Sequence, residues 1–252
     1  YDGAPAGFCL RWAGMDMLNH LLNADAAAPR LTVYNESTGA RMDFSAQTLE
    51  NWVAKIANML EEELELDDDS ALLIDLPVTW QAAVIALGAL AAGIEYDFAN
   101  SSLADDDADA ASQLQADAVF TSPDKFDLYS VGDIATSFDG SAPDVVLVTD
   151  DPFGRGVVEA GGELPSGAID FGPTVRFYGD DYFGQTTPLP ELFPDAGSAS
   201  RLLSTGWHDK EGFTVSVLHP LAAGGSAVVV SGLTTAERLQ QIADNENTTA
   251  RL

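Results

Sequence analysis

Residues 71–98 constrain the fold more than any other stretch of the chain. Ala71 to Leu76 reads as a buried strand, and Pro77 stops it because proline cannot donate to a sheet ladder. Thr79 follows with a hydroxyl able to cap a helix from Trp80 to Ala92. Gly93 supplies the left-handed residue that closes that helix, and Ile94 to Phe98 is the next strand. A strand, a returning helix and a second strand form a crossover unit, whose strands run parallel and need cover on both faces.

The same alternation recurs along the chain. Leu31 to Tyr34 and Arg41 to Phe44 flank the turn at residues 35–39 and read as a β-hairpin. Ser45 stands at the N-cap of a helix carrying Leu49, Trp52, Val53, Ile56, Met59 and Leu60 at helical spacing. Glu61, Glu62 and Glu63 end that helix against the negative end of its dipole, so its last turn is expected to fray. An acidic helix over Asp105 to Ala116 is expected to lead into strand Asp117 to Thr121, with a further strand at Val145 to Thr149. Residues 150–190, rich in Gly, Pro and Asp, read as long surface connections with one or two short strands. A helix follows from Phe213 to Ala223, restricted or kinked by Pro220 and ended by Gly224 and Gly225. Ser226 to Ser231 is a strand, and Thr235 opens a last helix to Ala243.

One internal echo suggests two similar halves. Residues 84–98 (VIALGALAAGIEYDF) and 215–229 (VSVLHPLAAGGSAVV) both run helix, Ala-Ala-Gly, strand. The expected organisation is therefore a poorly structured leader over 1–16, a first α/β half over 17–150, a connection over 151–200, and a second α/β half over 201–252. Met15 or Met17 is the expected start, just before the first helix at Leu18 to Asn23.

Composition narrows the function classes. The chain has 252 residues, 46% of them hydrophobic, enough for one large α/β domain or two packed halves. With 11 Lys plus Arg against 40 Asp plus Glu, its net charge is −29. Such a field repels nucleic acid and anionic membrane, both of which are bound through Lys and Arg. No apolar run reaches the ~20 residues of a membrane helix. The one cysteine, Cys9, excludes an internal disulfide and a cysteine-based zinc site and fits a cytoplasmic protein.

The block over residues 34–93 resembles the opening of the adenylate-forming (AMP-binding, acyl-CoA synthetase-like) enzymes. It runs hairpin, FSAQTLENWVAKIANML, an acidic spacer, then ALLIDLPVTWQAAVIALGALAAG. Residues 212–230 resemble that superfamily's stretch ending in Pro-Leu-Ala-Ala-Gly. More narrowly, NWVAK at 51–55, DPFGRG at 151–156 and GGELP at 161–165 are similar to a small actinobacterial family distantly related to those enzymes. The resemblance implies an α/β scaffold like the N-terminal domain of that superfamily, with two αβ layers and mainly parallel sheets. It also implies a Ser/Thr/Gly-rich phosphate loop ending in Pro-Lys within residues 150–205, and nothing there matches. The superfamily's Tyr-Gly-x-Thr-Glu segment, ribose-binding Asp and catalytic Lys would fall beyond Leu252. The implied role is non-catalytic binding or assembly, with a homodimer or another protein as partner. The alternative is an acyl-, CoA- or adenylate-binding protein or a partial ligase.

Individual residues add two candidate sites. Trp207 and His208 stand where the superfamily places its acceptor pocket, and they are the candidate lining for a small acyl or nucleotide ligand. Gly154, Arg155 and Gly156 follow a strand and include a cation, the polarity an anion cradle needs, although Asp150 and Asp151 oppose it. His208 beside Asp209 lacks a nucleophile, and no G-x-S-x-G elbow occurs. The acidic runs at Asp67 to Asp69 and Asp105 to Asp109 lack the glycine and terminal glutamate of a calcium loop and read as solvated surface. No catalytic residue, metal or cofactor is expected.

Overall fold

The computed structural model describes residues 16–99, 114–130, 135–137 and 140–252. Its strands, in chain order, are β1 (Pro29–Asn35), β2 (Ala40–Ser45), β3 (Ala71–Asp75), β4 (Glu95–Phe98), β5 (Leu114–Gln115), β6 (Ala118–Thr121), β7 (Ala135–Thr136), β8 (Asp144–Leu147), β9 (Ala168–Asp170), β10 (Arg201–Ser204), β11 (Ser226–Ser231) and β12 (Ala250–Arg251). One sheet has the order β4-β3-β6-β8-β9 and is parallel throughout. The other has the order β12-β10-β11-β1-β2 and is parallel except for the β1–β2 hairpin. Residues 17–150 thus supply strands to both sheets, because the hairpin pairs with β11 rather than with β3.

Local chemistry sets the elements. The Asn35 side chain accepts from the Ser37 amide (3.0 Å) and Gly39 takes a φ of 74°, which closes the hairpin. The helices α1 (Asn19–Asp25), α2 (Ala46–Glu62) and α3 (Trp80–Ala92) precede β1, β3 and β4. Ser45 caps α2 through the Thr48 amide (3.2 Å), and Thr79 caps α3 through the Ala82 amide (3.2 Å). Gly93 at φ 75° and Gly224 at φ 81° end the two echoed helices in the same left-handed way.

A single core joins the facing sides of the sheets. Leu72, Ile74, Phe120 and Val146 come from the first sheet, and Leu31, Val33, Ala227 and Val229 from the second. Between them, α3 packs on β3 and β4, α2 packs on the hairpin, and the two helices pack on each other. Every residue of α3 except Leu90 and Ala92 is buried. The helices approach so closely that a Cβ on Gly88 would lie 2.3 Å from Cγ2 of Ile56.

Several expectations are corrected. The acidic end of α2 does not fray. The Tyr178 hydroxyl donates to Glu63 (2.7 Å), that of Tyr182 donates to Glu61, and Lys55 Nζ bonds the Tyr178 carbonyl (2.7 Å). Residues 178–182 therefore clamp the helix end, and Tyr178 and Tyr182 are buried rather than part of a surface connection. Within the expected connection, Phe171–Phe177 forms a helix, which carries Pro173 in its first turn, where no backbone donor is needed. Residues 105–113 of the expected acidic helix lie outside the described residues, and its end, Leu114–Gln115, is a strand paired with β7. The helix expected from Phe213 instead begins at Lys210, capped by Asp209, and opens into a π-helical turn over Thr214–Leu218. The wider turn precedes Pro220, which has no N–H to offer an ordinary helical bond. Residues 1–15, with Cys9 and Met15, lie outside the described residues. Met17 is fully buried, and its carbonyl accepts from the Leu189 amide (3.1 Å).

The second sheet carries a buried carboxylate. Glu246, 9% exposed, accepts from the Tyr34 hydroxyl (2.6 Å), Arg41 Nε (2.8 Å) and Arg201, and so ties the end of helix Ala236–Asn245 to β1, β2 and β10. Burial pushes its pKa up, but the donors from Arg41, Tyr34 and Arg201 outweigh burial and hold it at about 2. A depressed carboxylate stabilises the fold fully above its ordinary value of 4.5 and loses that contribution as pH falls toward 2. Glu246→Gln should cost about 3 kcal/mol in urea unfolding at pH 7, a penalty that shrinks steadily from pH 5 down to pH 2. Gly88→Ala should destabilise by about 1–3 kcal/mol at every pH, because it overpacks the α2–α3 contact.

Candidate functional site

The parallel strands of the first sheet all point their carboxyl ends at one rim, where α/β sheets place their ligands. β3 ends at Asp75, β4 at Phe98 and β6 at Thr121, and a cavity of about 390 Å³ opens over these ends. Pro77 stops β3 and turns the chain, so Leu76, Pro77 and Val78 form one wall. The second sheet supplies the facing wall through the loop after β10. Gly206 takes a φ of 98°, and a Cβ there would meet Val78 at 2.9 Å, so the chain crosses the rim in close contact and delivers Trp207 and His208 to the cavity.

The cavity has an apolar side and a fixed polar side. Trp207 is buried, its ring 5.8 Å from that of Phe98 and 5.0 Å from that of Phe213. Opposite, Asp75 is bonded by Lys125 Nζ (2.7 Å) and by the Tyr129 hydroxyl (2.8 Å). Burial, then the adjacent Asp75 charge, drive the Tyr129 pKa upward, so its hydroxyl keeps the proton it donates. The Asp75–Lys125 pair is neutral in sum and anchored. Such a site can hold an uncharged polar group beside an apolar one. Ser122 and the exposed His208 complete the mouth.

The structure thus brings Trp207 and His208 together in one cavity, and adds Asp75, Lys125, Phe98 and Ser122, which the sequence reading missed. Two signals were available. Asp75 interrupts an apolar strand at its carboxyl end, and Lys125 is one of three lysines in the chain. Their pairing across 50 positions was not visible.

The loop at Gly154, Arg155 and Gly156 lies elsewhere, and its amides and the Arg155 Nε and Nη2 are bonded within the protein. Asp151 accepts from the Phe153 amide (2.9 Å) and from Arg155 Nε (2.9 Å) and Nη2 (2.7 Å). The Arg155 guanidinium holds the Asp151 carboxyl below its ordinary range. Glu159 accepts from the Gly156 amide (2.8 Å), and Asp170 from the amides of Val157 (2.9 Å) and Val158 (3.4 Å). The helix Phe171–Phe177 is pressed onto this loop, since a Cβ on Gly172 would lie 2.5 Å from the Gly156 nitrogen. The expected anion cradle is therefore filled by the protein's own carboxylates.

A TIGR03089 family protein of Mycobacterium tuberculosis is 32% identical over 250 residues, covering 92% of this chain and 95% of the relative. The chain belongs to the TIGR03089 family. No family model matches it. This TIGR03089 chain has the fold of the N-terminal part of acyl-CoA synthetases. The Brucella canis acyl-CoA synthetase superposes with a TM-score of 0.68 at 19% identity, over 95% of this chain and 47% of that one. Acetoacetyl-CoA synthetase from Streptomyces lividans gives 0.66 at 16% identity, over 94% and 42%. The amide bond synthetase McbA from Marinactinospora thermotolerans gives 0.61 at 14% identity, over 93% and 47%. The TIGR03089 chain thus spans less than half the length of these structures. Among its described residues no helix is long and apolar enough to cross a membrane.

Because Asp170 is buried and serves two amides of the filled loop, Asp170→Ala should destabilise the protein by about 1–3 kcal/mol in urea unfolding. Unchanged stability would show that the loop does not depend on this carboxylate.

Proposed function

We propose that this protein binds a small acyl compound in the cavity beneath Trp207 and does not adenylate it. The observation that carries the reading is the division of the cavity into an apolar wall (Val78, Phe98, Trp207) and an anchored, charge-neutral Asp75–Lys125 pair. A volume of about 390 Å³, lined by apolar side chains and by Asp75, Ser122, Lys125 and His208, suits a compact organic ligand with a polar end. The wall takes the acyl chain by burial, and Ser122, His208 and the Asp75–Lys125 pair face its carbonyl end. The acyl class is supported by the fold shared with an acyl-CoA synthetase and an acetoacetyl-CoA synthetase.

The non-catalytic half of the proposal rests on phosphate chemistry. Activating a carboxylate with ATP needs cations and amides aimed at the phosphoryl oxygens. Residues 150–205 contain no lysine, and the amides of Phe153, Arg155, Gly156 and Val157 are already bonded to the carboxylates of Asp151, Glu159 and Asp170. Both halves are testable. Short acyl-pantetheine thioesters should bind saturably by calorimetry. Trp207→Ala should weaken them by about tenfold or more, the equivalent of losing about 1.4 kcal/mol of burial. His208→Ala, at the mouth, should have a smaller effect. ATP–pyrophosphate exchange should stay at the level of a heat-killed control with every carboxylate tried. Clear exchange would overturn the non-catalytic reading, and thioester binding indifferent to Trp207 would overturn the site.

A further inference from the structure

A second cavity, of about 300 Å³, lies beside the first and is walled off from it by rings. Tyr96 lines it, while Phe98 and Trp207 line the first cavity, and Phe213 touches all three rings at 6.4, 5.3 and 5.0 Å. Its apolar surface comes from Ile94 behind α3, from Leu192 and Phe193 on the segment preceding β10, and from Leu218 in the π-helical turn. The cation in its lining is Lys210, whose Nζ sits 4.7 Å from the centre of the Tyr96 ring and bonds the Glu95 carboxylate.

The two cavities hold their lysines differently. In the first, Asp75 is only 13% exposed and also carries Tyr129, so withdrawing Lys125 would strand a buried charge. In the second, Lys210 is 40% and Glu95 73% exposed. An exposed ion pair of this kind contributes little, and Glu95 can turn into water without penalty. Lys210 is thus free to change partners while the Tyr96 face continues to support its charge. A cavity walled mainly by apolar groups, with the neutral Gln185, Thr187 and Thr214 also in its lining and one exchangeable cation at its edge, fits a molecule that is apolar along most of its length and carries a single negative charge at one end. More highly charged anions are disfavoured by the net charge of −29.

We propose that this second cavity binds an alkyl carboxylate, a short- to medium-chain fatty acid, with its tail against Ile94, Phe193 and Leu218 and its carboxylate on Lys210 in place of Glu95. The site is separate from the acyl cavity under Trp207 and does not depend on that reading.

Titration calorimetry with octanoate on the full chain tests it. Lys210→Met should weaken octanoate binding by about tenfold, the loss of one charge-assisted contact, and Lys210→Arg should largely preserve it. Glu95→Gln, an exposed change that removes the competing carboxylate, should tighten binding about threefold or more. Octanol, without the charge, should be insensitive to both. Equal affinity in wild type, Lys210→Met and Glu95→Gln, or no octanoate binding at about 1 mM, would overturn the proposal. So would loss of octanoate binding in Trp207→Ala with Lys210→Met unaffected. That result would assign the acid to the first cavity and leave the reading of that cavity standing.

Discussion

The contact between α2 and α3 at Ile56 and Gly88 is the constraint on which the rest of the molecule depends. Because α3 is apolar on every side, it has to be enclosed, by β3 and β4 on one side and by α2 on another. Because α2 also covers the hairpin, this helix pair fixes the distance between the two sheets. That distance decides where the loop after β10 crosses the carboxyl ends of β3, β4 and β6. The cavity is the space left between Val78 on one sheet's rim and Trp207 on the other's.

Surplus negative charge governs the remainder. Carboxylates are used throughout as acceptors for the protein's own donors. Glu61 and Glu63 take tyrosine hydroxyls, Asp151, Glu159 and Asp170 take loop amides, and Glu246 collects Tyr34, Arg41 and Arg201. The scarce cations are placed singly, Lys125 in one cavity and Lys210 in the other, each opposed by one acid. What distinguishes the two lysines is the exposure of the acid, which sets whether the cation can change partners.

Much of the scaffold was legible because its determinants are local. Ser45, Thr79, Gly93 and Thr235 stand where the sequence reading put caps, and their side chains or backbones act as caps. The hairpin and the parallel strands followed from patterns a few residues long. What could not be read is long-range. The clamp of Tyr178 and Tyr182 on α2 spans about 120 positions, which is why the acidic helix end looked frayed and the segment looked like surface. The membership of β1 and β2 in a sheet with β10 to β12 also depends on pairing across the whole chain. For the candidate cavity, Trp207 and His208 were named through resemblance, whereas Asp75 and Lys125 needed the sheet order to bring them together. At the Gly154–Gly156 loop, polarity and glycines are visible in a sequence, while carboxylates folding back onto its amides are not.

The most direct test of this account is a crystal structure of the protein grown with a short acyl-pantetheine and, separately, with magnesium and ATP. The account predicts acyl density against Phe98 and Trp207, an unbroken Asp75–Lys125 pair, and no nucleotide density on residues 153–158. Phosphates seated on the amides of Gly154 and Gly156, with Asp151 and Glu159 displaced, would contradict it and return the protein to the nucleotide-using enzymes.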